Sequence, residues 1–311
     1  MRILITGAAG FIGSALTSKL ISLNNQILGI DNFDETLNAS KERRNVFRSF
    51  EGNDNLILIE GDLNSLDLFD LVSGVDVIIH CAATPGLLPS WTHLNKYLKN
   101  NVESTHAIAS AAAQSNVSRF ILLSTSSVYG RVATCDENGP VDPSSPYGIT
   151  KFSSELIARN LLEESGVDLI ALRLFSVFGP GQRADMGIRK FIDSYLFLDS
   201  VNVTGDGSHK RTFTYIDDLV NLISGLLETK DVSGTYNIAG KEQIQILNLL
   251  DHLEDLTSRK IQRNFISPRR GDQLETLGDT SKAEQVLGWN PKTEFLAGLQ
   301  EQLKWQRSLR E

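Results

Sequence analysis

Cysteine is scarce in this chain. Cys81 and Cys135 are the only two in 311 residues, and their spacing matches neither a disulfide framework nor a metal-binding motif. They read as packing thiols of a reducing compartment, and no metal is expected. No apolar run is long enough to span a bilayer, so a membrane partner is not expected. A strand-like run begins at Arg2, which leads us to expect no signal peptide and a cytoplasmic location. Positive charge is in deficit, with 30 Lys and Arg against 38 Asp and Glu and a formal net charge of -8. That argues against a broad nucleic-acid surface but leaves room for a local basic pocket that takes a small anion. Low-complexity tracts, internal repeats and flexible linkers are missing too. What is present, 41% hydrophobic and 22% charged residues, is the composition of a globular protein of one large domain or two.

Short apolar runs alternate with longer amphipathic stretches through the first half. The runs are 3–5, 27–30, 56–59, 75–79, 120–123 and 169–172. They are nearly continuous in apolar character, as strands of a parallel sheet covered on both faces are. Helix-like stretches such as Phe11 to Leu23 and Tyr97 to Ala113 fill the intervals. Strand and helix in repeated alternation predict an α/β fold, a doubly wound parallel (Rossmann) sheet. The rhythm breaks after Arg173. Helical stretches return near Ile216 to Leu227, Ile244 to Leu256 and Thr280 to Leu287. We therefore expect a Rossmann domain over residues 1–174 and a smaller, mainly substrate-binding C-terminal domain over 175–311, with 214–239 returning to the first domain.

The first strand runs into Gly7-Ala8-Ala9-Gly10-Phe11-Ile12-Gly13, a G-x-x-G-x-x-G turn that opens a helix. Gly7 permits a sharp turn, Gly10 the close approach of backbone to a pyrophosphate, and Gly13 tight packing of helix on strand. The helix N-terminus then offers unpaired N–H groups to phosphates. Asp31 ends the second strand, where a carboxylate accepts hydrogen bonds from ribose hydroxyls and repels an added phosphate. The expected cofactor is NAD, with Arg43 and Arg44 near enough in sequence to soften the preference over NADP. Asp62 follows the third strand, where it is placed to meet the adenine amino group, and Ala82 follows the fourth, where a small side chain permits close approach.

Tyr147-Gly148-Ile149-Thr150-Lys151 follows a proline-bounded helix entry. Residues i and i+4 share one helix face. A phenol titrates near pH 10 alone, and the Lys151 ammonium and a nicotinamide cation would both lower that value. Tyr147 then becomes a base near neutral pH. Ser124-Thr125-Ser126-Ser127-Val128-Tyr129-Gly130 lies after the fifth strand, at the same sheet edge, where Thr125 or Ser126 can bond the reacting oxygen.

With these motifs in view the sequence resembles the extended short-chain dehydrogenase/reductase family, in particular its NAD-dependent nucleotide-sugar epimerases and dehydratases. The resemblance runs from the glycine turn through Asp31-Asn32, Gly61-Asp62-Leu63, His80-Cys81-Ala82-Ala83, Asn101-Val102 and the Tyr/Lys helix to Arg173-Leu174-Phe175-Ser176-Val177-Phe178-Gly179-Pro180. It continues through Arg211-Thr212-Phe213-Thr214-Tyr215-Ile216-Asp217-Asp218 to Asp279-Thr280-Ser281-Lys282-Ala283. It implies further cofactor contacts from Phe11, Ile12, Asn32, Leu63, Ala83 and Asn101, besides Tyr147 and Lys151. It also implies a nucleoside-diphosphate sugar as substrate, a role in polysaccharide biosynthesis, and a homodimer through the helices near 101–113 and 147 onward. Arg211 and one of Arg269 and Arg270 would hold the diphosphate.

The dehydratases of the family carry Thr-Asp-Glu where this chain has Thr125-Ser126-Ser127, so the run is similar to that of a 4-epimerase. Pro85 to Trp91 and Phe178 to Met186 resemble the UDP-glucuronate 4-epimerases, which usually have Thr, Pro and Arg where Ser176, Ala184 and Lys190 stand. The substrate residues implied are Pro85, Ser126, Ser127, Ser176, Arg183 and Lys190. The expected activity is NAD-dependent inversion at C4 of a UDP-sugar through a transient 4-keto sugar, with Thr125, Tyr147 and Lys151 as the catalytic set. Two alternatives remain open: a nucleotide-sugar dehydrogenase or 4-keto-sugar reductase that exchanges its cofactor, and a non-catalytic NAD-binding sensor.

Overall fold

The computed structural model describes residues 1–34, 40–268 and 270–309. Among them, seven parallel strands form the central sheet: β1 (Arg2–Thr6), β2 (Gln26–Asp31), β3 (Leu56–Glu60), β4 (Val77–His80), β5 (Arg119–Thr125), β6 (Asp168–Leu174) and β7 (Gly234–Ile238). The order across the sheet is β7-β6-β5-β4-β1-β2-β3. The winding reverses between β1 and β4, and in such sheets a ligand crevice opens there beyond the carboxyl ends of the strands. The helices that cover the sheet or shape this crevice are α1 (Phe11–Ser22), α2 (Ser104–Ala113), α3 (Pro146–Leu162), α4 (Gly187–Phe197), α5 (Ile216–Leu226), α6 (Ile246–Thr257) and α7 (Phe295–Ser308).

Register explains the continuous apolar runs. Leu4 lies opposite Leu28 and Ile78, and Ile78 opposite Phe120, so these side chains line one face. Ile5, Ile79, Ile121 and Ile170 line the other. The first set packs beneath Ile108 and Ala112 of α2 and Ala158 and Leu162 of α3. The second packs against Leu16 and Leu20 of α1 and Leu219 and Ile223 of α5. Each fully buried Leu or Ile contributes roughly 2 kcal/mol, so both layers hold the sheet strongly. The second layer continues into Ile188 and Ile192 of α4, Leu249 and Leu253 of α6 and Leu299 of α7. Although β7 and α5 come late in the chain, both belong to the large sheet and its cover. A smaller sheet takes the order Gln243–Gln245, Lys210–Thr212, Glu275–Thr276, Val132–Ala133, and its last strand comes from the connection between β5 and β6.

Two stretches depart from the sequence reading. The residues from Ile244 begin with a strand, so α6 starts only at Ile246. Tyr97 to Ala113 is not one α-helix: a turn of π-helix spans Leu98–Glu103 ahead of α2. Such a turn loosens the backbone ladder, and π-turns concentrate at functional sites. Here the Asn101 carbonyl accepts the hydroxyls of Thr105 at 2.6 Å and Ser154 at 2.7 Å.

α1 meets the end of β1 most closely at Gly13, where an added Cβ would sit 2.1 Å from the carbonyl oxygen of Gly7. Gly13→Ala is expected to cost about 2–3 kcal/mol, read as a lower urea midpoint at unchanged slope. An unchanged midpoint would contradict the packing described.

Candidate active site

A cavity of about 490 Å³ lies at the carboxyl edge of the sheet, from the β1–α1 turn to Gln273. At one end Gly7 turns with φ +67°, and a Cβ there would meet the Ala82 backbone nitrogen at 2.8 Å. The first turn of α1 has Gly10 as its N-cap, no side-chain cap and no acidic residue. Its N–H groups and positive dipole end are thus left for an anion. Asp31 is buried beside this turn. Its carboxylate accepts the Ala9 N–H at 3.1 Å and the Phe33 N–H at 2.9 Å, and pairs with Arg43 at 3.3 Å. Burial raises the Asp31 pKa against the pull of those amides and Arg43. Arg44, by contrast, pairs with Glu60 at 2.7 Å. Phe11, Ile12, Asn32, Leu63, Ala82 and Ala83 also line the cavity, as does Asp62, which pairs with Lys99 at 2.6 Å. The bare helix end, the turn too tight for a Cβ and the fixed carboxylate fit the phosphate and ribose ends of a dinucleotide.

The other end is built where β5 meets α3. Ser145 caps α3 by accepting the Gly148 N–H at 3.1 Å, and Pro146 opens the first turn. This aims Tyr147 and Lys151 into the cavity. Thr125, the last residue of β5, stands beside the Tyr147 phenol and favours its ionisation. Its Oγ1 also accepts the Ser127 N–H at 3.1 Å and donates to the Ser127 hydroxyl at 3.2 Å. Tyr97 packs edge-on to Tyr147 at 6.2 Å, held by its hydroxyl donating to the carbonyls of Pro85 and Gly86. Burial raises the Tyr147 pKa, and the opposing groups are Thr125 and Arg183. The sequence reading gave that opposing role to Lys151. Burial pushes Lys151 itself down to about 8, against the opposing charge of Glu155. Cys81 is pushed up to about 12 by burial, and so stays a thiol. His80, between the hydroxyls of Thr6 at 2.7 Å and Thr105 at 3.0 Å, is pushed down to about 3 by burial and stays neutral.

Pro85, Ser126, Ser127, Ser176, Arg183 and Arg211 line the middle and far end of the cavity. Arg183 pairs with Asp185 at 2.9 Å. Arg211 donates to the carbonyls of Lys210 at 2.9 Å, Leu274 at 3.2 Å and Gln273. Three expected residues do not reach the cavity wall. Asn101 is turned inward by the π-turn, accepting the Thr84 N–H at 2.7 Å and donating to the Thr150 hydroxyl at 3.0 Å, while Asn100 faces the cavity. Lys190 is exposed on the outer face of α4, because its neighbour Arg189 takes the buried phase and pairs with Glu42 at 3.0 Å. Arg270 is exposed and lies over the Trp91 ring at 3.7 Å. Arg269 lies outside the described residues.

Gln273 was not anticipated. It donates to the carbonyls of Ser126 and Gly130, each at 3.1 Å, and so fixes the serine run. Its position right after Gly271-Asp272 is the one sequence cue to it. No group of His, Cys, Asp and Glu among the described residues is arranged to hold a metal, and no described helix is long and apolar enough to cross a membrane.

Fold and cavity together define a doubly wound α/β protein with a dinucleotide crevice and a Tyr/Lys pair facing it. The chain belongs to the NAD dependent epimerase/dehydratase family, whose model matches residues 3–239. It is 35% identical to an uncharacterised UDP-glucose epimerase, YtcB, of Bacillus subtilis, over 99% of each chain. It is 30% identical to a UDP-glucuronate 4-epimerase of Thermodesulfobacterium geofontis, covering 98% of this chain and 95% of the relative. Among solved structures it resembles the UDP-glucuronic acid 4-epimerase of Bacillus cereus in complex with UDP-glucuronic acid and NAD. The TM-score is 0.95 at 34% identity, over 99% of this chain and 100% of that one.

The placement of Asn101 predicts its mutant. Asn101→Ala strands the buried Thr84 amide and is expected to cost about 2–3 kcal/mol in urea unfolding. Lys190→Ala, on the exposed face, is expected to stay within about 0.5 kcal/mol. Equal effects would contradict the two placements.

Proposed function

We propose that this chain is an NAD-dependent epimerase that inverts C4 of a UDP-sugar, with UDP-glucuronate the first candidate. The observation that carries the reading is the meeting of Thr125, Tyr147 and Lys151 in one cavity with the glycine turn. No carboxylic acid stands in the Thr125-Ser126-Ser127 run to promote loss of water, which favours an epimerase over a dehydratase.

Gly7, Gly10, Gly13 and Asp31 hold NAD, which when bound supplies the hydride acceptor and donor for C4. Tyr147 as phenolate takes the proton of the sugar 4-hydroxyl. Thr125 bonds the same oxygen and keeps the phenol aligned. The Lys151 cation favours the phenolate by charge. The keto sugar turns over in the cavity, and Tyr147 returns the proton to the 4-oxygen on the inverted carbon. Arg211 holds the diphosphate. Ser126, Ser127, Ser176 and Arg183 receive the sugar and any carboxylate on C5. Residues 1–174 with 214–239 form the cofactor half, and the rest of 175–311 mainly the substrate half. The apolar side chains of Ile149, Leu94 and Leu98, 52%, 45% and 40% exposed, support a homodimer through this side of the molecule.

Tyr147→Phe tests the reading. The variant is expected to fold, to keep the parent's NAD content, and to lose about 10³-fold or more in kcat, the scale of a missing general base. Turnover within about tenfold of the parent would overturn Tyr147 as the base. Lys190→Ala is expected to leave kcat/KM within about threefold, since it is outside the cavity.

A further inference from the structure

Behind Lys151 lies a buried carboxylate for which the reaction above has no use. Glu155 follows Lys151 by one helical turn on α3 and is only 6% exposed. Arg173 of β6 grips it from Nε at 3.1 and 3.2 Å and from Nη2 at 2.8 Å. Ser124, beside Thr125 at the end of β5, donates its hydroxyl to Glu155 Oε1. Arg173 is fixed in turn by the Tyr129 hydroxyl at 2.9 Å, and Tyr129 donates to Asn237 of β7 at 2.7 Å. The carboxylate is thus anchored to β5, β6 and β7 while sitting on the helix that carries Tyr147 and Lys151.

A buried ion pair is a weak source of stability, and apolar side chains often replace one without loss. Its placement suggests another role. Lys151, Glu155 and Arg173 are all buried, and the carboxylate that Arg173 grips at 2.8 Å lies one helical turn from the Lys151 ammonium. The other titratable groups around Lys151 are Tyr147 on its own helix and Cys81 and His80 at the end of β4. His80 and Cys81 stay neutral, as described above. Glu155 is therefore the one fixed negative charge among these groups.

We infer that Glu155, locked by Arg173 and Ser124, is a positioning residue that keeps Lys151 charged beside Tyr147. The inference rests on the proposed reading of Lys151 as the cation that favours the phenolate. Without the carboxylate, the ammonium gives up its proton at lower pH. Tyr147 then loses the positive charge one turn behind it within the working range, and Arg183 is left as the cation that favours its phenolate.

The experiment uses the purified full-length protein with its cofactor. The variants are Glu155→Gln, Glu155→Asp, and Glu155→Gln combined with Arg173→Met, which removes the stranded guanidinium so that folding is retained. The Lys151 ionisation is followed by NMR of ¹³Cε-lysine-labelled protein, with the signal assigned by its loss in Lys151→Met. The parent midpoint is expected at about 8, lowered by burial. In both neutral variants it is expected to fall by about one pH unit or more. The alkaline limb of the kcat–pH profile should move with it while KM stays within about threefold. Glu155→Asp, which keeps the charge, should hold the midpoint close to the parent's. A midpoint that stays put in the double variant overturns the inference, because a purely structural pair would be rescued there. If the midpoint moves but the parent epimerises no UDP-sugar, the electrostatic role stands and the proposed function falls.

Discussion

The approach of Thr125 to the Tyr147 phenol is the contact on which the site depends, because it joins the end of a central strand to the first turn of a covering helix. β5 is fixed on both sides by parallel neighbours, so the position of Thr125 is set by the sheet. α3 is fixed by its Ser145 cap, by its packing on the sheet and by the Glu155–Arg173 pair. The phenol therefore meets the crevice at a place decided by the core rather than by a mobile loop. Sites held on rigid elements keep reacting groups within the small tolerances that proton transfer demands.

The charges around the cavity are arranged in depth. Asp31 stands at the nucleotide end, partly offset by Arg43. Lys151 stands one helical turn behind Tyr147, and Glu155 one turn behind Lys151. Arg183 and Arg211 stand at the far end, where a dianionic diphosphate and a sugar acid would lie. A chain with a net charge of -8 thus keeps Lys151, Arg183 and Arg211 at one cavity, where an anionic ligand would meet them. The hydroxyls of Thr125, Ser126 and Ser127 lie between, where bonds to a neutral sugar are needed.

Much of this was legible in the sequence where function depends on short-range order. The glycine turn, the apolar strands and the Tyr/Lys helix are each set by neighbours within a few residues, and the structure brings them to one edge. What sequence could not place depends on helix phase and on distant partners. The phase of α4 puts Arg189 inside and Lys190 outside. The π-turn turns Asn101 inward, to clamp Thr84, and leaves Asn100 at the wall. Gln273 reaches Ser126 across 147 residues, and no local pattern announces such a contact. Arg173 was read only as part of a motif, and its grip on Glu155 emerged from the pairing of β5 with β6.

In the proposed reaction one protein-bound cofactor is used and regenerated in a single turnover. The purified protein, incubated with UDP-glucuronate and no added cofactor, is predicted to form the C4 epimer, UDP-galacturonate, with no net absorbance of reduced nicotinamide. Absence of the epimer, together with reduced cofactor accumulating once NAD is supplied, would contradict it and assign the same residues to a net dehydrogenase.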